Sequence, residues 1–171
     1  MIANMAEAKQ ISCTVLTDGK AREDILTDQQ LLSADVLHLG THGFFLPAEP
    51  NPVPEAGDPG YQFRTAASPL MRSGLLLSGG NTSWIQGSTD NVDGILTASE
   101  ISNLNMLDIE LVVLSACETG LGDIQGDEGV YGLQRAFAMA GAQNLIMSLW
   151  KVPDRYTAEL MTRFYTYLLE P

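Results

Sequence analysis

The chain has 171 residues, 45% of them apolar, which is enough for one domain with a hydrophobic core. Its 21 acidic and nine basic residues give a net charge of −12, which argues against nucleic acid or an anionic membrane surface as a partner. Two cysteines are too few for a disulfide scaffold, and neither a secretory signal nor a membrane-spanning run is visible, so we expect a cytoplasmic protein.

The first half of the chain predicts short elements around one long irregular segment. A short strand is expected at 11–16, a helix at 24–32 and a strand at 36–39, whose nearly continuous apolar run is typical of a buried parallel strand. Segment 47–72 is rich in Pro, Gly and Ala without periodicity, and a weaker strand candidate follows at 75–77. Long irregular segments in compact domains are usually functional or mobile, so 47–72 is predicted to be a loop with a regulatory contact.

The second half of the chain gives clearer signals. Residues 97–100, Thr-Ala-Ser-Glu, have the spacing of a helix N-terminal capping box. The elements expected after it are a strand at 111–114, a helix at 129–140 that Gly141 stops, a strand at 144–150 and a helix from Pro153 with Leu160, Phe164 and Leu168 on its apolar face. Alternating strands and helices predict an α/β fold with a mostly parallel sheet.

Two residues suited to nucleophilic catalysis follow two of the predicted strands. His42 lies in a Gly-flanked turn after the strand at 36–39, and Cys117 lies in Leu-Ser-Ala-Cys-Glu-Thr-Gly after the strand at 111–114. Ligands bind beyond the carboxyl ends of parallel strands, so these side chains can meet if the two strands are neighbours. An imidazole activates a thiol and then protonates the leaving amine, and nearby glycines free backbone N–H groups to bind an oxyanion.

Other interpretations of these residues remain open. A cysteine after a strand is often a small buried apolar residue, and Cys13 is expected to be a plain core or edge residue. His38 lies inside a strand, which favours a structural histidine over a zinc ligand paired with His42, because further Cys or His ligands are lacking. The chain contains neither a serine-hydrolase elbow nor a phosphate-binding loop.

Longer motifs resemble those of a known family. The stretch 41–45, Thr-His-Gly-Phe-Phe, is similar to the histidine motif of CHAT domains, the caspase-like domains that often follow tetratricopeptide repeats. The stretch 111–122, LVVLSACETGLG, is similar to the family's cysteine motif, and shorter matches extend from about residue 35 to 168. The resemblance implies a three-layer α/β/α sandwich with a mostly parallel sheet and caspase-like topology.

The resemblance also implies an activity, a cysteine endopeptidase that cleaves a protein or peptide substrate through a thioester without metal or organic cofactor. Cys117 is then the nucleophile and His42 the general acid/base, with the N–H groups of Gly43 and Cys117 as the oxyanion hole. The substrate-binding residues expected by analogy with caspases are Asp154, Trp150, Glu118 and Asp127. Asp154 has a helix N-cap as its alternative role, and Trp150 has core packing.

The organisation expected from the resemblance is one caspase-like domain over 1–171 that is a piece of a longer protein, truncated at its C-terminal edge. Activity is expected to be gated by a partner, such as a tetratricopeptide-repeat or sensor module. The rival interpretation is a catalytically silent interaction or scaffold domain in a bacterial signalling or defence assembly. A third is another thiol acyl-transfer enzyme, such as an amidase acting on a small molecule.

Overall fold

The computed structural model describes residues 1–46, 61–86, 92–115, 128–148 and 152–170. Its strands are β1 (Val36–Leu39), β2 (His42–Phe45), β3 (Ser73–Leu76), β4 (Ile95–Thr97), β5 (Leu111–Leu114) and β6 (Asn144–Met147). Its α-helices are α1 (Ile2–Ala8), α2 (Gln29–Leu32), α3 (Tyr61–Arg64), α4 (Gly80–Gln86), α5 (Ala98–Ile101), α6 (Glu128–Ala140) and α7 (Asp154–Leu168). Short 3₁₀ helices lie at Asp18–Lys20, Glu23–Thr27 and Pro69–Met71. Mixed strands and helices confirm the α/β class.

The described strands form two three-stranded sheets. One is parallel, in the order β1-β5-β6, and the other is antiparallel, in the order β2-β3-β4. The sequence predicted the parallel sheet but not the antiparallel one. The turn predicted around His42 is confined to Gly40 and Thr41, and His42 is the first residue of β2. Short strands such as these carry few alternating positions, so their periodicity is a weak signal.

Helices pack on both faces of the parallel sheet. Val112 and Leu114 of β5 share an apolar core with Leu133 and Phe137 of α6. Val113, which points the opposite way, belongs to a second core with side chains of α1 and α7. All three β5 side chains are almost completely buried, and burial of each contributes about 1.5–3 kcal/mol. Burial on both faces explains why β5 is continuously apolar and confirms the predicted strand.

Two helix-end signals in the sequence are confirmed. The Thr97 hydroxyl accepts a hydrogen bond from the Glu100 backbone N–H at 3.2 Å, and the Glu100 carboxylate accepts one from the Thr97 N–H at 2.7 Å. This reciprocal pair is the predicted capping box at the start of α5. Gly141 ends α6 with a φ of +101°, a conformation that L side chains rarely adopt.

Predictions for the first half were less accurate. Residues 11–16 form neither strand nor helix, and Cys13 is an exposed thiol rather than a core or edge-strand residue. The helix expected at 24–32 is divided between a 3₁₀ helix, Glu23–Thr27, and α2. The second half of the predicted 47–72 loop contains α3 and another 3₁₀ helix, because Phe63 provides an apolar anchor that is 6% exposed. Residues 47–60 lie outside the described ranges.

The apolar face of α7 agrees with the predicted one only at Phe164, which is half-buried against the core of Val113, Met161 and Tyr165. Leu160 and Leu168 are 60% and 44% exposed, whereas Met161 and Tyr165 are buried against Val113. The orientation of α7 on the sheet is set by Tyr165, whose ring packs against Val113. Tyrosine scores low in hydropathy, so the apolar pattern alone did not place Tyr165 on the buried face. Within the described ranges, no helix has the length and apolar character that crossing a membrane requires.

The close packing of α6 on the antiparallel sheet gives a testable prediction. A Cβ built on Gly132 would lie 2.5 Å from Ser73 Oγ, so Gly132→Ala should destabilise the fold by about 1–3 kcal/mol although alanine favours helices. Ser73→Ala removes that oxygen and should restore much of the loss in the double variant. Chemical denaturation of the four-member cycle measures this coupling.

Gly19→Ala provides the control for this cycle, because nothing lies within 4 Å of a Cβ at that position. If the effects of Gly132→Ala and Ser73→Ala on the free energy of unfolding were additive, the loss of stability in Gly132→Ala would not come from its contact with Ser73.

Candidate active site

The candidate site lies where two neighbouring parallel strands end. Leu39 at the end of β1 pairs with Leu114 at the end of β5, and the Ser115 N–H donates to the Leu39 carbonyl at 3.0 Å. The strands β1 and β5 are therefore neighbours, as the proposed meeting of His42 and Cys117 needs. His42 follows Leu39 by three residues and Cys117 follows Leu114 by three. Cys117 itself lies outside the described residues.

The backbone on the His42 side is fixed by the antiparallel sheet. His42 opens β2 opposite Leu76 of β3, and its side chain is exposed. The hydroxyl of Thr41 donates a hydrogen bond to the Leu76 carbonyl, which fastens the turn before His42 to the same strand. An exposed imidazole on an anchored backbone is accessible to a substrate without having to leave a packed core.

The strand register determines where the Gly43 N–H points. Leu46 N donates to Arg72 O at 2.8 Å, which makes this opposed pair a hydrogen-bonded one. Hydrogen-bonded pairs alternate along an antiparallel ladder, so His42 and Phe44 bond to β3 whereas Gly43 does not. The Gly43 N–H is consequently directed away from β3, toward the side of β2 on which no strand of the described ranges pairs. It takes no part in the ladder with β3, and it follows His42 directly in the chain.

An aromatic cluster packs against β2. The Phe44 ring lies 5.4 Å from the ring of Phe63 and 4.9 Å from that of Trp84, and these two rings stack on each other at 5.2 Å. Opposite Phe44, Gly74 leaves room for the ring, because a Cβ there would lie 2.8 Å from it. The cluster joins α3 and α4 to the strand that begins at His42, so the position of this strand depends on packing that the sequence motif did not reveal.

His38 has the structural role predicted for it. Its Nδ1 lies 3.0 Å from the Tyr165 hydroxyl and its Nε2 lies 2.7 Å from Ser115 Oγ. The imidazole also stacks on the Tyr165 ring at 5.6 Å. Burial lowers the pKa of His38, and burial with the nearby Cys13 thiol raises the pKa of Tyr165 to about 12. Both side chains are therefore neutral near neutral pH.

Sequence reasoning did not single out Ser115 or Tyr165. The available signal was the polar His38 in an apolar strand, since such a side chain needs partners on the same face of the sheet. Ser115 follows Val113 by two residues, which places it on the His38 face by strand alternation. Tyr165 comes from a helix more than a hundred residues away, so only the tertiary fold reveals it.

The substrate-binding candidates are only partly described. Asp154 is the first residue of α7, and Pro153 occupies the N-cap position predicted as its alternative role. A carboxylate in the first turn is favoured by the helix dipole. Glu118, Asp127 and Trp150 lie outside the described residues.

A groove of about 250 Å³ lies beside β6, the strand that ends the parallel sheet within the described ranges. Among the described residues, those that line it are Gln134, Leu145, Ile146 and Met147. Three of these residues belong to β6 and one to α6. The part of the chain that the structure describes contains no cluster of three His, Cys, Asp or Glu side chains able to hold a metal ion.

The buried His38 predicts a loss of stability in mild acid. Its pKa lies below the ordinary 6.5 in the folded chain, so the unfolded chain binds a proton first as the pH falls. Stability should therefore be complete above about pH 6.5 and decrease below it, by at most about 1.4 kcal/mol per pH unit for this one group. Denaturation at pH 7.5 and 5.8 should show the decrease, and His38→Gln should reduce it.

Ile109→Val is the matched control for the pH effect, because it removes buried apolar volume from the core on the other face of the sheet and retains His38 with its partners. It should lower stability at both pH values and leave the difference between them unchanged. An unchanged difference in His38→Gln would assign the acid sensitivity to other groups.

Comparison with known proteins connects this site to a family. Tetratricopeptide repeat protein 28 from Mus musculus and that from Homo sapiens are each 39% identical to the chain over 75 residues. The match covers 44% of the chain but only 3% of the length of either relative. No solved structure matches the chain significantly. The CHAT domain family matches over residues 1–171, in agreement with the resemblance of the histidine and cysteine motifs. The chain belongs to the CHAT domain family.

Proposed function

We propose that this CHAT domain is a cysteine endopeptidase in which Cys117 is the nucleophile and His42 the proton-transfer partner. The observation that supports this most directly is the pairing of Leu39 with Leu114. Two residues of extended chain span at most about 7 Å, so Cys117 cannot lie far from Ser115, which is bonded to Leu39. The family is related to caspase-like peptidases, and this chain retains both residues of the dyad.

The proposed reaction has two steps. The Cys117 thiolate attacks the scissile carbonyl carbon, and collapse of the tetrahedral intermediate leaves a thioester as the C–N bond breaks. The leaving amine takes the proton from the His42 imidazolium. Water then attacks the thioester while His42 accepts its proton, and the C–S bond breaks. This step releases the acid and restores the Cys117 thiolate with the His42 imidazolium. The exposed position of the His42 ring suits a group that must reach both leaving amine and water.

Gly43 is proposed to stabilise the oxyanion together with the backbone N–H of Cys117. Its N–H is directed away from β3, so donating it to a substrate breaks no ladder bond. A preorganised donor of this kind stabilises charge that develops only in the transition state. The groove beside β6 is proposed to hold the substrate as an added strand, with Asp154, Asp127, Glu118 and Trp150 as candidate side-chain contacts.

The wider setting of the domain is also a proposal. Helices on both faces of the parallel sheet favour the three-layer, caspase-like topology, with 1–171 as a single domain. The relatives named as tetratricopeptide repeat proteins favour a repeat module in the full-length protein that gates a cytoplasmic protease. Gating suits a domain in which the histidine and the cysteine follow different strands. A small movement of one strand end relative to the other then changes the distance between the His42 and Cys117 side chains.

Labelling with an electrophilic peptidyl probe tests the proposed dyad. Mass spectrometry should find the probe on Cys117, and His42→Ala should slow that labelling by about 10²–10⁴-fold because the thiolate and proton donor are lost. Cys13 is an exposed thiol on the same chain and serves as the internal control, with Cys117→Ala confirming the modified position. Cys13 should react slowly and without regard to His42.

Equal labelling of both cysteines, unaffected by His42→Ala, would contradict the protease proposal for this domain. If the same result persisted with the flanking regions restored, the scaffold interpretation would replace it. Labelling of Cys117 without cleavage of any protein, but with release of a small amine from a non-peptide amide, would identify an amidase instead.

An amide-to-ester substitution tests the proposed oxyanion donor. Replacing the Gly43 N–H by an ester oxygen should lower the rate of acylation of Cys117 by about 10²–10³-fold and leave stability nearly unchanged. The same substitution at Phe44, whose N–H bonds to β3, should instead cost about 1 kcal/mol of stability. Equal effects of the two esters on acylation would argue against a special role for the Gly43 donor.

A further inference from the structure

Ser115 is held to β1 twice, although it lies beyond the last residue of β5. Its backbone N–H donates to the Leu39 carbonyl at 3.0 Å, and its hydroxyl lies 2.7 Å from His38 Nε2. The second contact belongs to a chain of groups that continues from His38 Nδ1 to the Tyr165 hydroxyl. The parallel pairing of β1 and β5 is thereby extended by one residue toward Cys117.

Both nitrogens of the imidazole have a hydroxyl partner, Tyr165 on Nδ1 and Ser115 on Nε2. A hydroxyl can donate or accept, so both ring nitrogens are hydrogen-bonded in either neutral tautomer of His38. The ring is also restrained by stacking on Tyr165, which is 4% exposed and packed on the sheet. His38 is thus fixed in orientation by contacts at both ring nitrogens and on one face.

We propose that His38 is a positioning residue, which holds the start of the Cys117 segment against the strand that leads to His42. The proposal rests on the function proposed above. Strand β1 then helps to position both residues of the dyad. Its His38 fixes Ser115, two residues before Cys117. The same strand continues through one short turn to His42. Errors of about 1 Å in the placement of reacting groups can lower rates by about 10²-fold.

The polarity of the network supports positioning over stability. The opposite face of β5 is filled by apolar side chains, and an apolar pair in place of His38 and Ser115 would avoid the cost of burying polar groups. Directional hydrogen bonds specify one arrangement of two chain segments, whereas apolar contacts tolerate several. Ser115, the last described residue before Cys117, belongs to this network, so such specificity acts at the end of the strand that leads to the nucleophile.

The test measures modification of Cys117 by a peptidyl electrophile in the full chain, with the maximal rate and the half-saturating concentration determined separately. Ser115→Ala and His38→Gln should each lower the maximal rate by about 10–100-fold and leave the half-saturating concentration within about twofold. Ser115→Thr keeps the hydroxyl and should restore most of the rate. The double variant should be no slower than the slower single variant, because both act through one contact.

Ile109→Val is the control for general loss of stability, since it empties space in the core on the other face of the sheet, before the start of β5 and away from the network. It should keep the wild-type rate at temperatures where the chain is folded. A rate that follows stability across all variants, or that Ser115→Thr fails to restore, would overturn the positioning role. Failure of the dyad gives a different pattern, in which labelling of Cys117 in the wild-type chain is already indifferent to His42→Ala.

Discussion

The pairing of β1 with β5 is the constraint on which the rest of the site depends. The two strands are far apart in sequence, and each is followed at the same distance by one residue of the candidate dyad. Parallel pairing brings their carboxyl ends to one edge of the sheet, where the chain no longer has to satisfy ladder hydrogen bonds. Reactive side chains can be presented there without loss of the core beneath them.

The two faces of β5 are used differently. One face is apolar throughout and joins α6 and the antiparallel sheet in a common core. The other face joins apolar contacts from α7 to the polar series Tyr165, His38 and Ser115. The first face supplies most of the burial that stabilises the fold, and the second adds directionality next to the site. A central strand buried on both sides can carry both roles because alternate side chains point in opposite directions.

Features that depend on neighbouring residues in the sequence could be predicted, whereas features that depend on distant residues could not. The strand at 111–114, the capping box at Thr97 and the glycine stop at Gly141 depend on neighbouring residues, and all three are confirmed. Leu160 was assigned to the buried face of α7 and is exposed, because the helix orients on Tyr165 and its contact with His38. Long-range contacts of this kind leave no periodic pattern. His42 and Gly43 were found as candidates by their motif, whereas the direction of the Gly43 N–H required the register with β3.

The two connections that leave the ends of β2 differ in how much length variation they can accept. Between β1 and His42 there are only Gly40 and Thr41, and one inserted residue would shift the register of β2 and turn its alternate side chains to the other face. The connection from β2 to β3 is closed at its base, where Leu46 bonds to Arg72. Its closure entropy grows only with the logarithm of its length, so insertions there leave β2 in place. Related chains should therefore vary in size after Leu46, while the spacing from β1 to His42 stays constant.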